Sequence, residues 1–451
     1  MAAENLCRTS SGRKYGPEYK ELLKLGSPVL LTQLGVIMMS FADTLMVGAY
    51  SVEALASSAF VNSLFLIPLV MLSGLANGIT PLVGALFSRN MLTEAGRITR
   101  AGLQINLLTG ALFTVLMGAL WFLLHRFGQP DELLPLIRPY FLTLLGTLIP
   151  MSMFNAFTQA CTGMSDTQTP MWCVLMSIGV NILGNWLLIF GNCGCPELGL
   201  TGAGIATVIA RVSGLLLIIT VFLASSRYAE LRKGWSKGAE GSRRWKVWNT
   251  SYPVMIQAGV ECSLWSFGAV VCGWFGKIQL AAYQVVNTIG QLGFMTFMSF
   301  GVATSVRVAN YTGLHDEQGA GTAARAGLHI NLVLATIASL LIWLAGPSLI
   351  EMFTSDPQVI SAALLFILPL VLYQYLDATQ LTFINAIRGT SQVKPLLWIA
   401  LISYIVVGVP CSLVFSELTG WESVGVYYSF DVALLVATIL AAIVFKRIRL
   451  D

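Results

Sequence analysis

Charge is scarce in this sequence. Asp, Glu, Lys and Arg together make up 11% of its 451 residues, while 56% of the residues are hydrophobic. Soluble domains carry roughly a quarter charged residues, so a chain with this balance cannot hide its apolar surface in one water-soluble core. We therefore expect a membrane protein that is solvated by lipid. The net charge of +4 is small, and we expect no nucleic-acid partner.

The sequence also lacks the patterns of an enzyme or of a metal centre. Its eight cysteines are scattered, and Cys193 and Cys195, which share a short loop, are interpreted as free thiols. His125, His315 and His329 stand in no ligand spacing. No glycine-rich phosphate-binding loop is present, which disfavours pumping driven by ATP. We expect no enzyme activity and no cofactor, so any transport must draw its energy from an ion gradient.

Long apolar runs dominate what remains. A bilayer core requires about 20 apolar residues per helix, and this criterion predicts twelve membrane-spanning helices. They are residues 27–49, 56–80, 98–124, 134–157, 170–190, 203–224, 252–274, 281–306, 326–347, 358–384, 395–416 and 424–445. Turn signals such as Ser355-Asp356-Pro357 separate them. The sequence therefore predicts an all-α, multi-pass membrane protein.

The basic residues lie on one side of the predicted spans. The two tails and the loops after even-numbered spans hold nearly all Lys and Arg. The loop after the sixth span alone contains Arg227, Arg232, Lys233, Lys237, Arg243, Arg244 and Lys246. Because positive charge marks the cytoplasmic side, both termini are predicted to face the cytoplasm. We expect a monomer in the inner membrane of a bacterium.

The two halves of the sequence resemble each other. A shift of 225 residues aligns several identities without a gap: Pro28 with Pro253, Gly48 with Gly273, Asn62 with Asn287, and Arg100-Ala101-Gly102-Leu103 with Arg325-Ala326-Gly327-Leu328. Each copy has an even number of spans, so both must enter the membrane in the same sense. The repeat predicts two six-helix lobes related by a pseudo-two-fold axis along the membrane normal, an arrangement that transporters commonly use. A duplicated scaffold without transport is the alternative.

The repeat and the polar central segment define the predicted domains. These are a cytoplasmic tail at 1–26, an N-lobe at 27–224, a cytoplasmic linker at 225–250, a C-lobe at 251–446 and a second cytoplasmic tail at 447–451.

Polar groups inside the N-lobe spans are candidates for function, because charge at bilayer depth is costly. Asp43 lies fifteen residues past Pro28, about 22 Å along the helix at ~1.5 Å per residue. Asn181 and Asn185 lie at about 16 and 22 Å past Pro170, on one helix face. The three side chains are predicted to form an oxygen-rich site for a proton or a small hard cation. Alternatively, the Asn pair joins helices and Asp43 is only hydrogen-bonded.

The C-lobe spans contain a second candidate site. Glu261 and Asp377 are expected at about 12 and 15 Å from the cytoplasmic end. Two carboxylates at similar depth either share a proton or are held apart by a cation. Tyr373 stands four residues before Asp377 on the same face. A structural ion pair is the alternative, but Arg211, the basic residue found deep inside a span, belongs to the other lobe. Nothing in the sequence pairs Asp431.

Several motifs carry a family resemblance. Phe41-Ala42-Asp43-Thr44-Leu45-Met46-Val47-Gly48 and Asn181-x-x-x-Asn185-Trp186 resemble those of the multidrug and toxic compound extrusion (MATE) family. Ala281-Ala282-Tyr283-Gln284-Val285 and Tyr373-Gln374-x-x-Asp377, with Arg388-Gly389 further on, resemble its NorM branch. The resemblance covers about residues 20 to 445. In this order and spacing the motifs are highly specific.

The resemblance implies an activity as well as a fold. Members export amphipathic, often cationic drugs in antiport with sodium ions or protons. Carried over by residue, the N-lobe cation site would be Asp43, Asn181 and Asn185, and the C-lobe site Glu261, Tyr373, Asp377 and Gln284, with sodium at the first three of these. A lipid-linked oligosaccharide flippase of the same superfamily is the alternative. Such a protein would require several cationic residues in its cleft, whereas in this sequence Arg211 is nearly alone among the spans.

Overall fold

The computed structural model describes residues 15–448, apart from 129, 131, 237–240 and 419. The described part consists of helices and short connections and contains no strand. This is the expected result, because a helix satisfies its own backbone hydrogen bonds where no water is available. Residues 1–14 and 449–451 of the predicted tails, the turn residues Gln129 and Asp131, and Lys237 of the linker lie outside the described residues.

Twelve apolar helical segments follow one another along the chain. They are α1 (Gly16–Tyr50), α2 (Val52–Ser88), α3 (Leu92–Trp121), α4 (Leu134–Gly163), α5 (Gln168–Phe190), α6 (Gly199–Ala224), α7 (Gly241–Trp274), α8 (Lys277–Gly313), α9 (Glu317–Glu351), α10 (Pro357–Leu364 with Ile367–Gly389), α11 (Lys394–Glu417) and α12 (Glu422–Arg447). Counting the bent α10 as one span, the described residues contain the twelve predicted spans, which confirms the fold class.

The bend in α10 has a cause in the sequence. Its two parts meet at 50° across Leu365 and Phe366. Pro369 has no backbone N–H, so the carbonyl group of Leu365 loses its normal helical donor at the point where the helix breaks.

The helices are longer than the predicted spans. Helix α1 has 35 residues, about 52 Å at ~1.5 Å per residue, whereas the bilayer core is about 30 Å thick. It begins at Gly16, eleven residues before the predicted span, because the apolar criterion detects only the part of a helix that lipid surrounds. The predicted linker is also largely helical: Ala229–Ser236 forms a linker helix, and α7 begins at Gly241.

The chain forms two compact units. The N-unit is Leu31–Met255, and the C-unit combines Ile256–Asp451 with Met1–Leu30. The boundaries fall inside α1 and α7 rather than in the predicted linker. Within the N-unit the linker helix packs closely on α3, since a Cβ atom added to Gly96 would lie 2.0 Å from the carbonyl oxygen of Leu231. Only glycine permits that approach.

A buried ion pair anchors the start of α1 within the C-unit. Glu18 accepts hydrogen bonds of 3.0 and 2.8 Å from Nε and Nη2 of Arg307 on α8, and a further one from the Tyr311 hydroxyl group. Leu22 and Leu25 are buried on the same side of α1. Residues 16–26 of the predicted N-terminal tail are thus helical and packed.

Candidate functional site

The N-unit brings together the three residues predicted for its cation site. Asn185 on α5 donates a hydrogen bond from Nδ2 to Oδ1 of Asp43 on α1. The same Nδ2 lies 3.5 Å from Oδ1 of Asn181, which in turn donates from Nδ2 to the hydroxyl group of Thr207 on α6 at 3.4 Å. Both asparagines are fully buried. Three helices therefore converge on one polar cluster, which we call the N-site.

The donor set of the N-site suits a hard cation or a proton. Asp43, Asn181, Asn185 and Thr207 each offer an oxygen atom, and oxygen is the ligand that such cations prefer. Oδ1 of Asn185 is buried and has no hydrogen-bond partner among the described residues, which is unusual for a buried polar atom. Sequence reasoning missed Thr207, although its position on α6 in a small-residue segment, Gly204-x-Ala206-Thr207, was an available signal.

The N-site also has a positive neighbour. Arg211 lies one turn after Thr207 on α6, and its charge is close enough to Asp43 for the two to attract each other. No salt bridge joins them within the described part of the chain. The N-site and Arg211 together therefore carry one negative and one positive charge.

In the C-unit the two predicted carboxylates also come together. Asp377 on α10 is 1% exposed, and its charge and that of Glu261 on α7 are close enough to repel each other. Tyr373, one turn before Asp377, lies within hydrogen-bonding reach of it. Glu261, Asp377 and Tyr373 form the centre of what we call the C-site.

A hydrogen-bonded chain links Glu261 to a buried arginine. Gln257, one turn earlier on α7, donates from Nε2 to Oε2 of Glu261 at 3.0 Å. Its Oε1 atom accepts a hydrogen bond of 2.7 Å from Nη2 of Arg388 on α10. Arg388 is 6% exposed and also donates to Asn385. Sequence reasoning, which expected few basic partners at this depth, did not count Arg388, because its long side chain reaches into the unit from the end of α10.

Two further residues complete the C-site. Gln380 donates from Nε2 to the hydroxyl oxygen of Tyr404 on α11 at 2.5 Å, and both lie within hydrogen-bonding reach of Glu261. Sequence reasoning missed Gln257, Gln380 and Tyr404. Gln257 could have been found from its spacing of four residues before Glu261, which places both side chains on one helix face.

Several buried polar atoms in the C-site and at nearby positions of α10 and α12 have no hydrogen-bond partner in the described structure. They are Oδ2 of Asp377, Oε1 of Gln380, both side-chain polar atoms of Gln374, and the Tyr427 hydroxyl oxygen. Buried polar atoms in proteins are nearly always hydrogen-bonded or solvated. The unsatisfied oxygen atoms of Asp377 and Gln380 beside two carboxylates fit a site that receives a cation, a proton or water.

The remaining candidates lie apart from the C-site. Gln284 on α8 is exposed, and the described hydrogen bonds do not join its side chain to Glu261 or Asp377. Asp431 on α12 is 6% exposed, and neither of its oxygen atoms has a hydrogen-bond partner among the described residues. Within the described part of the chain no three acidic, histidine or cysteine side chains are grouped closely enough to hold a metal ion. Asp431 is therefore not a third carboxylate on the Glu261–Asp377 pair.

Comparison with known proteins identifies the class of protein. The MatE family model matches residues 28–187 and 253–414, well over half of the chain and one segment in each half. The chain belongs to the MatE family. This membership confirms the expected family, and it agrees with the prediction of a transporter rather than an enzyme.

Relatives and solved structures agree with that membership. The chain is 27% identical to the multidrug resistance protein NorM of Aliivibrio fischeri over 418 residues, which cover 92% of this chain and 90% of the relative. It is 27% identical to NorM of Vibrio cholerae over 410 residues, 90% of this chain and 89% of the relative. The eukaryotic MATE transporter AtDTX14 shares the fold, with a TM-score of 0.87, 17% identity and 97% coverage of each chain.

Proposed function

We propose that this protein is a secondary active exporter of amphipathic organic cations and drugs, driven by the inward movement of sodium ions or protons. The observation that carries the proposal is the buried pair Glu261 and Asp377 in the C-site. The bacterial relatives named for multidrug resistance support the choice of cargo. The apolar helices and the distribution of Lys and Arg support a location in a bacterial inner membrane with both termini in the cytoplasm.

The charges of the C-site favour coupling to one monovalent cation. Glu261 and Asp377 contribute two negative charges, and Arg388, linked through Gln257, contributes one positive charge. The remaining single negative charge is costly at bilayer depth. One sodium ion or one proton neutralises it, and the unsatisfied oxygen atom of Asp377 is the natural point of attachment.

The C-site and the N-site differ in net charge. In the N-site, Arg211 already offsets the charge of Asp43, so electrostatics does not require a further cation there. We therefore assign the main coupling role to the C-site and a supporting role to Asp43, Asn181 and Asn185.

A lipid-linked oligosaccharide flippase fits the charges less well. A pyrophosphate cargo calls for several free cationic side chains close together. The buried Arg388 is already engaged by Gln257 and Asn385, and Arg211 stands alone on α6.

Efflux from proteoliposomes tests the proposal. Full-length protein is reconstituted into vesicles loaded with ethidium, and efflux is measured under an inward sodium gradient, an inward proton gradient, or neither. We expect efflux with at least one gradient, and we expect Glu261→Gln to abolish it. Glu351→Gln, which alters an exposed carboxylate at the end of α9, is the matched control and should export normally. An efflux rate that is the same with either gradient and with none would refute secondary transport.

A further inference from the structure

The described parts of the linker pack closely on the N-unit. A Cβ atom added to Gly234 of the linker helix would lie 1.9 Å from the carbonyl oxygen of Thr93 on α3. Arg243, in the first turn of α7, donates from Nε to Oε2 of the next residue of α3, Glu94, at 3.1 Å. The linker helix and the first turns of α7 therefore both rest on the start of α3, in fixed positions.

The basic residues at the start of α7 fall into two groups. Arg243 is held by Glu94 and lies on the same helix face as Val247, which is fully buried. Arg244 and Lys246 are exposed, and neither forms a hydrogen bond or an ion pair with any described residue. Their two positive charges are therefore available to a ligand outside the protein.

Aromatic side chains continue from this basic pair towards the membrane. Trp245 stands between Arg244 and Lys246 and is 64% exposed. Trp248 and Tyr252, three and seven residues further along the same helix face, stack on each other with ring centroids 5.9 Å apart. The predicted apolar span begins at Tyr252, so Trp245 lies about 10 Å outside it at ~1.5 Å per residue. Because Trp and Tyr concentrate at the level of the lipid headgroups, this face of α7 is placed in the headgroup layer.

We propose that Arg244, Trp245 and Lys246, which we call the linker surface, bind anionic phospholipid of the adjacent leaflet. Guanidinium and ammonium groups form charge-assisted hydrogen bonds with phosphate oxygen atoms, and a ring with an apolar body and a polar N–H group suits the region between headgroup and acyl chain. Clusters of Lys and Arg directly beside a membrane span attract anionic lipid. This inference concerns the lipid partner and depends neither on the cargo nor on the coupling ion.

Quenching of Trp245 by brominated lipids tests the linker surface. Full-length protein is reconstituted into phosphatidylcholine vesicles that contain either brominated phosphatidylglycerol or brominated phosphatidylcholine at the same mole fraction. In each background, the difference from the matching Trp245→Phe variant isolates the emission of Trp245. We expect stronger quenching by the anionic lipid, and this preference should weaken as salt screens the charges. Arg244→Gln combined with Lys246→Gln should lower the association constant for phosphatidylglycerol, relative to phosphatidylcholine, by roughly fivefold to twentyfold.

A second double variant separates local binding from total charge. Arg325→Gln combined with Lys394→Gln removes two exposed basic residues from the starts of α9 and α11, on the same predicted side of the membrane, and should keep the full preference. Equal quenching of the wild type by both lipids, or an equal loss of preference in this control, would refute the lipid site and leave drug export standing. If soluble polyglutamate removed the preference of the wild type, the linker surface would instead be a site for an acidic protein segment, and the lipid proposal would be wrong.

Discussion

Asp377→Asn is the most direct test of the C-site. The substitution replaces one carboxylate oxygen by an amide group of nearly the same shape, so the packing of α10 should be preserved. The oxygen atom without a partner, Oδ2, can become the amide nitrogen, and the contact with Tyr373 can be kept by the other oxygen. Removing a buried charge also removes its desolvation cost. We therefore expect undiminished abundance in the membrane and an unchanged or higher melting temperature.

The effect on cation binding should be large. The substitution changes the charge of the C-site from minus one to zero. A unit charge about 4 Å from a monovalent cation contributes about 4 kcal/mol at an effective dielectric constant of ~20, and Asp377 is too deeply buried for water to screen much of that. Even a loss of about 3 kcal/mol corresponds to more than a hundredfold in affinity. Gradient-driven efflux should fall to the level of empty vesicles.

The assay is ethidium efflux at a series of sodium concentrations and pH values, with Glu351→Gln as the matched control. Binding of radioactive sodium to purified protein measures the affinity independently of transport. Export by Asp377→Asn at the wild-type rate, with the same dependence on sodium or pH, would show that this carboxylate does not handle the coupling ion.

Three other variants and one pair of C-terminal fusions test the same structure. Arg388→Gln leaves the C-site with two negative charges, so the apparent affinity for the coupling cation should rise. The maximal efflux rate should fall because the cation is released more slowly. Weaker cation binding by this variant would contradict the charge count of the C-site. Asp43→Asn should impair transport, because it leaves Arg211 without its neutralising charge, and wild-type efflux from this variant would exclude Asp43 from the cycle. Asp431→Asn should retain most of the efflux. If this variant lost efflux while Asp377→Asn exported normally, the coupling carboxylate would lie on α12 instead. A fluorescent protein fused to the C-terminus should fluoresce, and an alkaline phosphatase fused there should be inactive, because both would lie in the cytoplasm. A dark fluorescent protein together with an active phosphatase would place the C-terminus outside.

The number of helices was predictable from the sequence, but their ends were not. Lipid imposes a minimum length on each apolar segment, and twelve segments met it. The charged turns of α1 before residue 27 carry Glu18, Lys20 and Lys24, which no apolar criterion can assign to a helix. Their helical state depends on Leu22 and Leu25 packing against α8 and α9 and on the ion pair with Arg307. Those are tertiary contacts between residues almost 300 positions apart.

The residues of the candidate sites also fall into two groups, those that could be identified from the sequence and those that could not. Asp43, Glu261 and Asp377 could be found because a carboxylate inside an apolar span is rare and costly. Gln380 and Tyr404 could not, since neutral polar residues are common in such helices and their importance depends on which helix they face. Arg388 was misjudged because its backbone lies at the end of a span while its side chain extends into the unit.

The internal repeat does not place the carboxylates of the two sites at corresponding positions. Under the shift of 225 residues, Asp43 corresponds to Gly268 and Glu261 corresponds to Val36. Neither carboxylate therefore has a charged counterpart in the other half. Yet Val36 and Arg211 together line a small pocket inside the N-unit, so the same position of the first helix of each half faces the interior in both units. The duplicated scaffold supplies equivalent interior positions, and each half carries its carboxylate at a different one of them. The net negative charge of the C-site therefore suits it to the main role in cation coupling, and the N-site, where Arg211 offsets Asp43, to a supporting one.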